Sequence, residues 1–111
     1  MKNQKLKLGV LVSGSGSNLQ SIIDSIENGL LDAHILVVIS NKRNAYALER
    51  ARKHDIPTVV IEHNAFRDRE GFDQKMIDTL RGYSVDLVIM AGFMRILTPL
   101  FLRAFPMKIM N

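Results

Sequence analysis

Short apolar runs alternate along the chain with stretches of helical period. Residues 8–12, 35–39, 58–61 and 87–90 are rich in Val, Ile and Leu, with no polar alternation. Strands buried on both faces read this way. Between them, Leu19, Ile22, Ile23 and Ile26 recur at i, i+3, i+4 and i+7, which predicts a helix stopping near Gly29. Leu48 and Ala51 line a second helix, with Asn44 as its expected cap and Arg50, Arg52, Lys53 and His54 suiting its negative end. Phe72, Met76, Ile77 and Leu80 mark a third, capped by Asp68. Thr98-Pro99 reads as a cap with proline at the first helical position, opening a short helix to about Phe105. Residues 107–110 then read as a fifth strand. The order is β-α-β-α-β-α-β-α-β, which implies right-handed crossovers and an open, mostly parallel sheet covered by helices.

Composition narrows the class. The 111 residues suffice for one domain, and 47% apolar content can supply a core. There is no cysteine, which excludes a disulfide framework, a thiolate zinc site and a cysteine nucleophile. The formal charge is +4, but Lys2, Lys5 and Lys7 form a basic tail over residues 1–7, and the excess beyond it is only +1. A nearly balanced surface argues against nucleic acid as a partner. The apolar run after the tail breaks at Ser13-Gly14, shorter than the ~7–15 residues of a signal-peptide core. No run approaches the ~18 apolar residues of a membrane span. The expected location is cytoplasmic, with no membrane partner.

The first strand leads into the first helix through Ser13-Gly14-Ser15-Gly16-Ser17-Asn18. Such a turn offers backbone N–H groups at a helix N-terminus to an anion, with hydroxyl and amide donors beside them. A dinucleotide fingerprint would need glycine where Leu19 stands and an acid where Ser40 and Asn41 stand. A P-loop would need a Gly-Lys pair that the segment lacks. What remains is a phosphate cradle, or a plain Gly/Ser turn required for packing.

Ligands of open α/β sheets gather beyond the carboxyl ends of the strands. Here those segments are residues 13–18, 40–43, 62–69 and 92–97, and Asn111. His34, His54 and His63 form no triad and no metal set, and no metal is expected. Asp68, Glu70, Asp73 and Asp78 read most simply as a solvated helix face.

Two distant motifs, Ser13-Gly14-Ser15-Gly16-Ser17-Asn18-Leu19-Gln20 and Ala91-Gly92-Phe93-Met94-Arg95-Ile96-Leu97, together resemble the phosphoribosylglycinamide formyltransferase family. Ser40-Asn41-Lys42, Leu48-Glu49-Arg50-Ala51-Arg52 and Phe66-Arg67-Asp68-Arg69-Glu70 resemble it too, so the likeness spans residues 8–111. The resemblance implies a Rossmann-like α/β fold with helices on both faces of the sheet. It implies transfer of a formyl group from 10-formyltetrahydrofolate, the formyl-donor cosubstrate, to the amine of 5-phosphoribosylglycinamide in purine (IMP) synthesis. By position, Gly16, Ser17 and Asn18 would hold the substrate phosphate. Arg69, Met94, Arg95, Ile96 and Leu97 would line the folate site. Lys108-Ile109-Met110-Asn111 matches the approach to the family's Asn-Ile-His-Pro-Ser-like run. Asn111 would then be catalytic, donating to the oxyanion and touching the folate.

The family's catalytic histidine and aspartate fall beyond residue 111. The expectation is therefore an N-terminal, phosphate-binding portion, inactive alone, whose partner is the C-terminal half or a second copy in a homo-oligomer. Formyltetrahydrofolate hydrolase is the nearest alternative, although it needs no ribose-phosphate cradle. A non-catalytic ribose-phosphate-binding or complementation fragment is the other.

Overall fold

The computed structural model describes residues 5–111. Five strands form one parallel sheet: β1 (Leu6–Val12), β2 (Ala33–Ser40), β3 (Thr58–Val60), β4 (Leu87–Met90) and β5 (Ile109–Met110). Their order across the sheet is β3-β2-β1-β4-β5. The helices are α1 (Ser17–Glu27), α2 (Tyr46–Lys53), α3 (Arg69–Gly82) and α4 (Pro99–Ala104), with a short 3₁₀ turn at His63–Ala65 before α3.

Strand parity divides the core in two. Val10, Val12 and Val38 face Leu19 and Ile23 of α1 and Ala47, Leu48 and Ala51 of α2. Leu11, Val37 and Ile39 point the other way, onto Phe72, Met76, Ile77 and Leu80 of α3 and Phe101 of α4. The chain first winds outward from β1 to β3, then returns through α3 to the other side of β1. Because each crossover is right-handed, reversing direction moves the helices to the opposite face. Both faces are thereby covered, as expected. The reversal also leaves a gap between the loops after β1 and β4, where the chain departs in opposite directions.

Several boundaries differ from those predicted, each for a local reason. The tail expected over residues 1–7 lies outside the described residues as far as residue 4. Its last two residues belong to β1, where Leu6 pairs with Ala33 and Lys7 with His34. The Lys7 carbonyl also accepts from Asp86 N at 2.8 Å. Asn44 does not cap α2; Ala45 holds that position, with no side-chain bond. The helix instead gives Ala47 N to the carbonyl of Gly14 at 3.0 Å, so the loop after β1 satisfies one of its free amides. At α3 the prediction holds: the Asp68 side chain accepts from Gly71 N at 2.8 Å. The fifth strand is shorter than expected, because Met107 adopts φ 58° and Lys108 N turns back to Phe105 O.

Asp73 is the clearest departure. It belongs to no solvated face, being only 1% exposed. Its Oδ2 accepts from both the backbone N and the hydroxyl of Thr98, each at 2.7 Å. Thr98 stands at the N-cap of α4 as predicted, yet its hydroxyl donates to Asp73 and makes no cap bond to its own helix. A buried carboxylate requires such donors. The pair fixes where the segment after β4 enters α4.

Candidate functional site

The loop after β1 owes its shape to Gly16 and α2. Gly16 is the N-cap of α1 and lies in the left-handed region, at φ 81°. A Cβ there would stand 2.6 Å from both Cα and Cβ of Ala47. Glycine is therefore required twice, by backbone angle and by space. The first helical bond of α1 runs from Gln20 N to Gly16 O at 2.8 Å. The amides of Ser17, Asn18 and Leu19 precede that ladder and stand at the positive end of the helix dipole. Ser17 and Asn18 are exposed there, while Leu19 anchors the turn in the core.

A positive side chain stands behind the loop. Arg50 Nε donates to Ser15 O at 2.7 Å, and its Nη1 reaches Gln20 Oε1 at 3.3 Å. The guanidinium also lies 5.0 Å over the Tyr46 ring. The sequence places Arg50 among the charges suiting the C-terminal end of α2, but its partner is the loop after β1. The signal was weak, since the bond spans 35 residues.

Ser13 closes the base of the loop. It is 2% exposed, donates to Asn41 Oδ1 at 2.6 Å and accepts from Met94 N at 2.8 Å. One hydroxyl thus joins the ends of β1, β2 and β4. Polar residues at the inner ends of apolar strands were the available hint, and only the pairing of strands identifies their partners.

Between the loops after β1 and β4 lies a crevice of about 150 Å³, lined by residues 14–18 together with Ala91, Gly92 and Met94. Gly92 has φ 74°, and Met94 and Ile96 are 72% and 74% exposed. Of the residues singled out in the sequence, Gly16, Ser17, Asn18 and Met94 meet directly in this crevice. Arg95 turns away from it, its guanidinium 5.8 Å over the ring of Phe72. Arg69 is exposed at the first position of α3, one turn before Phe72. A cation there opposes the helix dipole, so it gains nothing from its own helix. Leu97 is half-buried against the core beneath α3 and α4. Asn111 follows Met110, which pairs with Ile89, and is exposed at the carboxyl edge. The site residues thus extend along one edge of the sheet, from the crevice to β5.

The histidines lie apart from this crevice. His54 Nδ1 meets Glu27 Oε2 at 2.7 Å where α1 and α2 end, and His63 sits edge-on to Phe72 at 6.4 Å between ring centroids. His34 is exposed on β2. No helix among the described residues is long and apolar enough to cross a membrane.

A doubly wound sheet with a glycine turn at a helix N-terminus and an open apolar loop facing it at the switch point defines an α/β domain with its candidate ligand site at the carboxyl edge. Comparison with known proteins is more specific: residues 6–111 match the formyl transferase family, and the chain belongs to it. The chain is 45% identical over 105 residues to phosphoribosylglycinamide formyltransferase of Haemophilus influenzae, spanning 95% of itself and 50% of that protein. It is 44% identical over 108 residues to the trifunctional purine biosynthetic protein adenosine-3 of Bos taurus, of which it spans 11%. Its fold superposes on glycinamide ribonucleotide transformylase 1 of Symbiobacterium toebii with a TM-score of 0.94 at 40% identity. That match covers 97% of this chain and 51% of the other. The chain thus spans about half the length of the monofunctional relatives it matches.

Proposed function

We propose that this chain supplies the phosphate-binding half of an enzyme that formylates the amine of 5-phosphoribosylglycinamide from 10-formyltetrahydrofolate. One observation carries the reading: the crevice sets the anion-binding turn of residues 14–18 against Gly92 and Met94. Gly16, Ser17 and Asn18 hold the phosphate through backbone amides and side-chain donors, and Arg50 adds positive charge behind them. Gly92 leaves room for a flat ring system, and the exposed Met94 and Ile96 offer it apolar surface. Arg95 and Leu97 extend that wall through their backbone, their side chains packing on Phe72 and the core, and Arg69 stands as a cation available to a carboxylate. The residues fit a folate, whose N10-formyl group supplies the carbon transferred.

In the transfer, the glycinamide nitrogen attacks the formyl carbon and loses a proton. The carbon–N10 bond breaks, and N10 takes up a proton. Asn111 serves this step by donating its amide N–H to the formyl oxygen as negative charge develops there. The absence of cysteine from a chain with this chemistry suits a reducing, cytoplasmic setting.

The test supplies the second half of the Haemophilus influenzae relative, fused after Asn111, and follows both formyl-folate consumption and 5-phosphoribosylglycinamide formylation. Formylation that requires both compounds supports the reading. Formyl-folate cleavage at the same rate without the amine would replace it with a hydrolase. Ribose-phosphate binding with no turnover in the fusion would leave only a binding module.

A further inference from the structure

We propose that the Ser13 hydroxyl is a positioning group that couples the two walls of the crevice, so that phosphate held on one is registered at the Met94 backbone on the other. This rests on the phosphate reading of the loop. The sheet's own bonds end just short of the site: Val12 pairs with Ser40, and Ala91 N donates to Leu11 O at 2.9 Å. Beyond those points, among the described residues, no backbone hydrogen bond joins the loop after β1 to the loops after β2 and β4. Ser13 Oγ continues the connection from a side chain. Among the described residues its bond from Met94 N is the one side-chain hydrogen bond joining residues 13–18 to residues 91–97.

The polarity of the bridge follows from its chemistry. A side-chain carbonyl oxygen can only accept, so Asn41 Oδ1 takes the single hydroxyl proton of Ser13 at 2.6 Å. The oxygen lone pairs are then left to face Met94 N. Asn41 is 4% exposed and Ser13 2%, so water does not readily substitute for either partner. Asn41 thereby orients Ser13, and Ser13 holds Met94. Met94 exposes its side chain while its amide is secured. This arrangement holds the apolar surface of that loop at a set distance from the phosphate turn, which begins at the very next residue. Displacement of Gly14–Ser17 backbone toward an anion is transmitted through Ser13 before any second ligand binds.

Amide NMR of the 111-residue chain, titrated with ribose 5-phosphate, tests this. In the unchanged chain the Gly16 and Met94 amides shift together and saturate at one concentration. In S13A, Gly16 still titrates while Met94 loses most of its shift, and S13T, which keeps the hydroxyl, restores it. Should S13A not fold, N41A is read the same way, because it removes the acceptor that orients the hydroxyl. A Met94 shift undiminished in the folded variant overturns the coupling, as does a Met94 amide that stays still while Gly16 responds in the unchanged chain. No response at Gly16 in the unchanged chain overturns the phosphate reading itself, and the coupling with it.

Discussion

Arg50 Nε donates to the carbonyl of Ser15 at 2.7 Å, tying the middle of α2 to the turn that opens α1. With Ala47 N bonded to Gly14 O and Gly16 pressed against Ala47, α2 forms the floor of the turn proposed to bind phosphate. The turn thus keeps its shape before a ligand arrives, so binding shifts it as a unit and need not fix several loop dihedrals.

That brace predicts a binding defect. R50M should weaken ribose 5-phosphate binding by about 1 kcal/mol, the scale of one partly exposed hydrogen bond plus a nearby charge. R50K should recover only part of it, since an ammonium cannot reproduce the two-nitrogen reach to Ser15 and Gln20. Isothermal titration at fixed ionic strength measures both. Equal affinity for all three chains would remove Arg50 from the site.

Two glycines in the same turn should respond very unequally. G16A places a Cβ 2.6 Å from Ala47 at a left-handed φ, so a loss of about 2–4 kcal/mol in stability is expected. A Cβ at Gly14 meets nothing within 4 Å, so G14A should stay within about 0.5 kcal/mol. Urea denaturation with a common slope decides the comparison.

The buried Asp73–Thr98 pair predicts a graded loss. D73A strips partners from both the backbone N and the hydroxyl of Thr98 and should cost about 3 kcal/mol. T98A removes only the hydroxyl, leaves the backbone bond in place, and should cost about 1 kcal/mol. Thermal unfolding at one pH orders the two; equal losses would show that the backbone bond contributes little.

Catalysis and phosphate binding should separate at Asn111. In the fusion with the second half of the Haemophilus influenzae relative, N111A should lower kcat by about 10²–10³, the loss expected for one oxyanion donor. Its affinity for ribose 5-phosphate should not change, because Asn111 lies after β5 and outside the crevice of residues 14–18. Rate assays and titration on the same preparation read both quantities.

Much of this was legible in one dimension because the signals are local. Apolar runs of strand length and the period of Leu19, Ile22, Ile23 and Ile26 depend only on near neighbours, and the α/β order followed from them. The Ser13-Gly14-Ser15-Gly16-Ser17-Asn18 turn was legible as a tight loop between a strand and a helix, open to an anion or required for packing, because glycines and short polar side chains suit both. Asp68 capped α3 as predicted, since a cap acts within three residues. Local pattern failed where a side chain found its partner across the fold. Asp73 looked solvated beside other acids, yet binds Thr98, 25 residues away. Asn44 looked like a cap, yet α2 offers its amide to Gly14.

Element types, the parallel arrangement and the glycine turn before α1 were therefore determined by the sequence itself, through periodicity and backbone preference. Only the tertiary structure decided that β4 returns beside β1, because strand order depends on how the two helical layers bury their apolar faces. That choice brings Met94 to Ser13 across 81 residues and creates the crevice. No spacing along the chain encodes such a meeting; it arises from packing helices on opposite faces of one sheet.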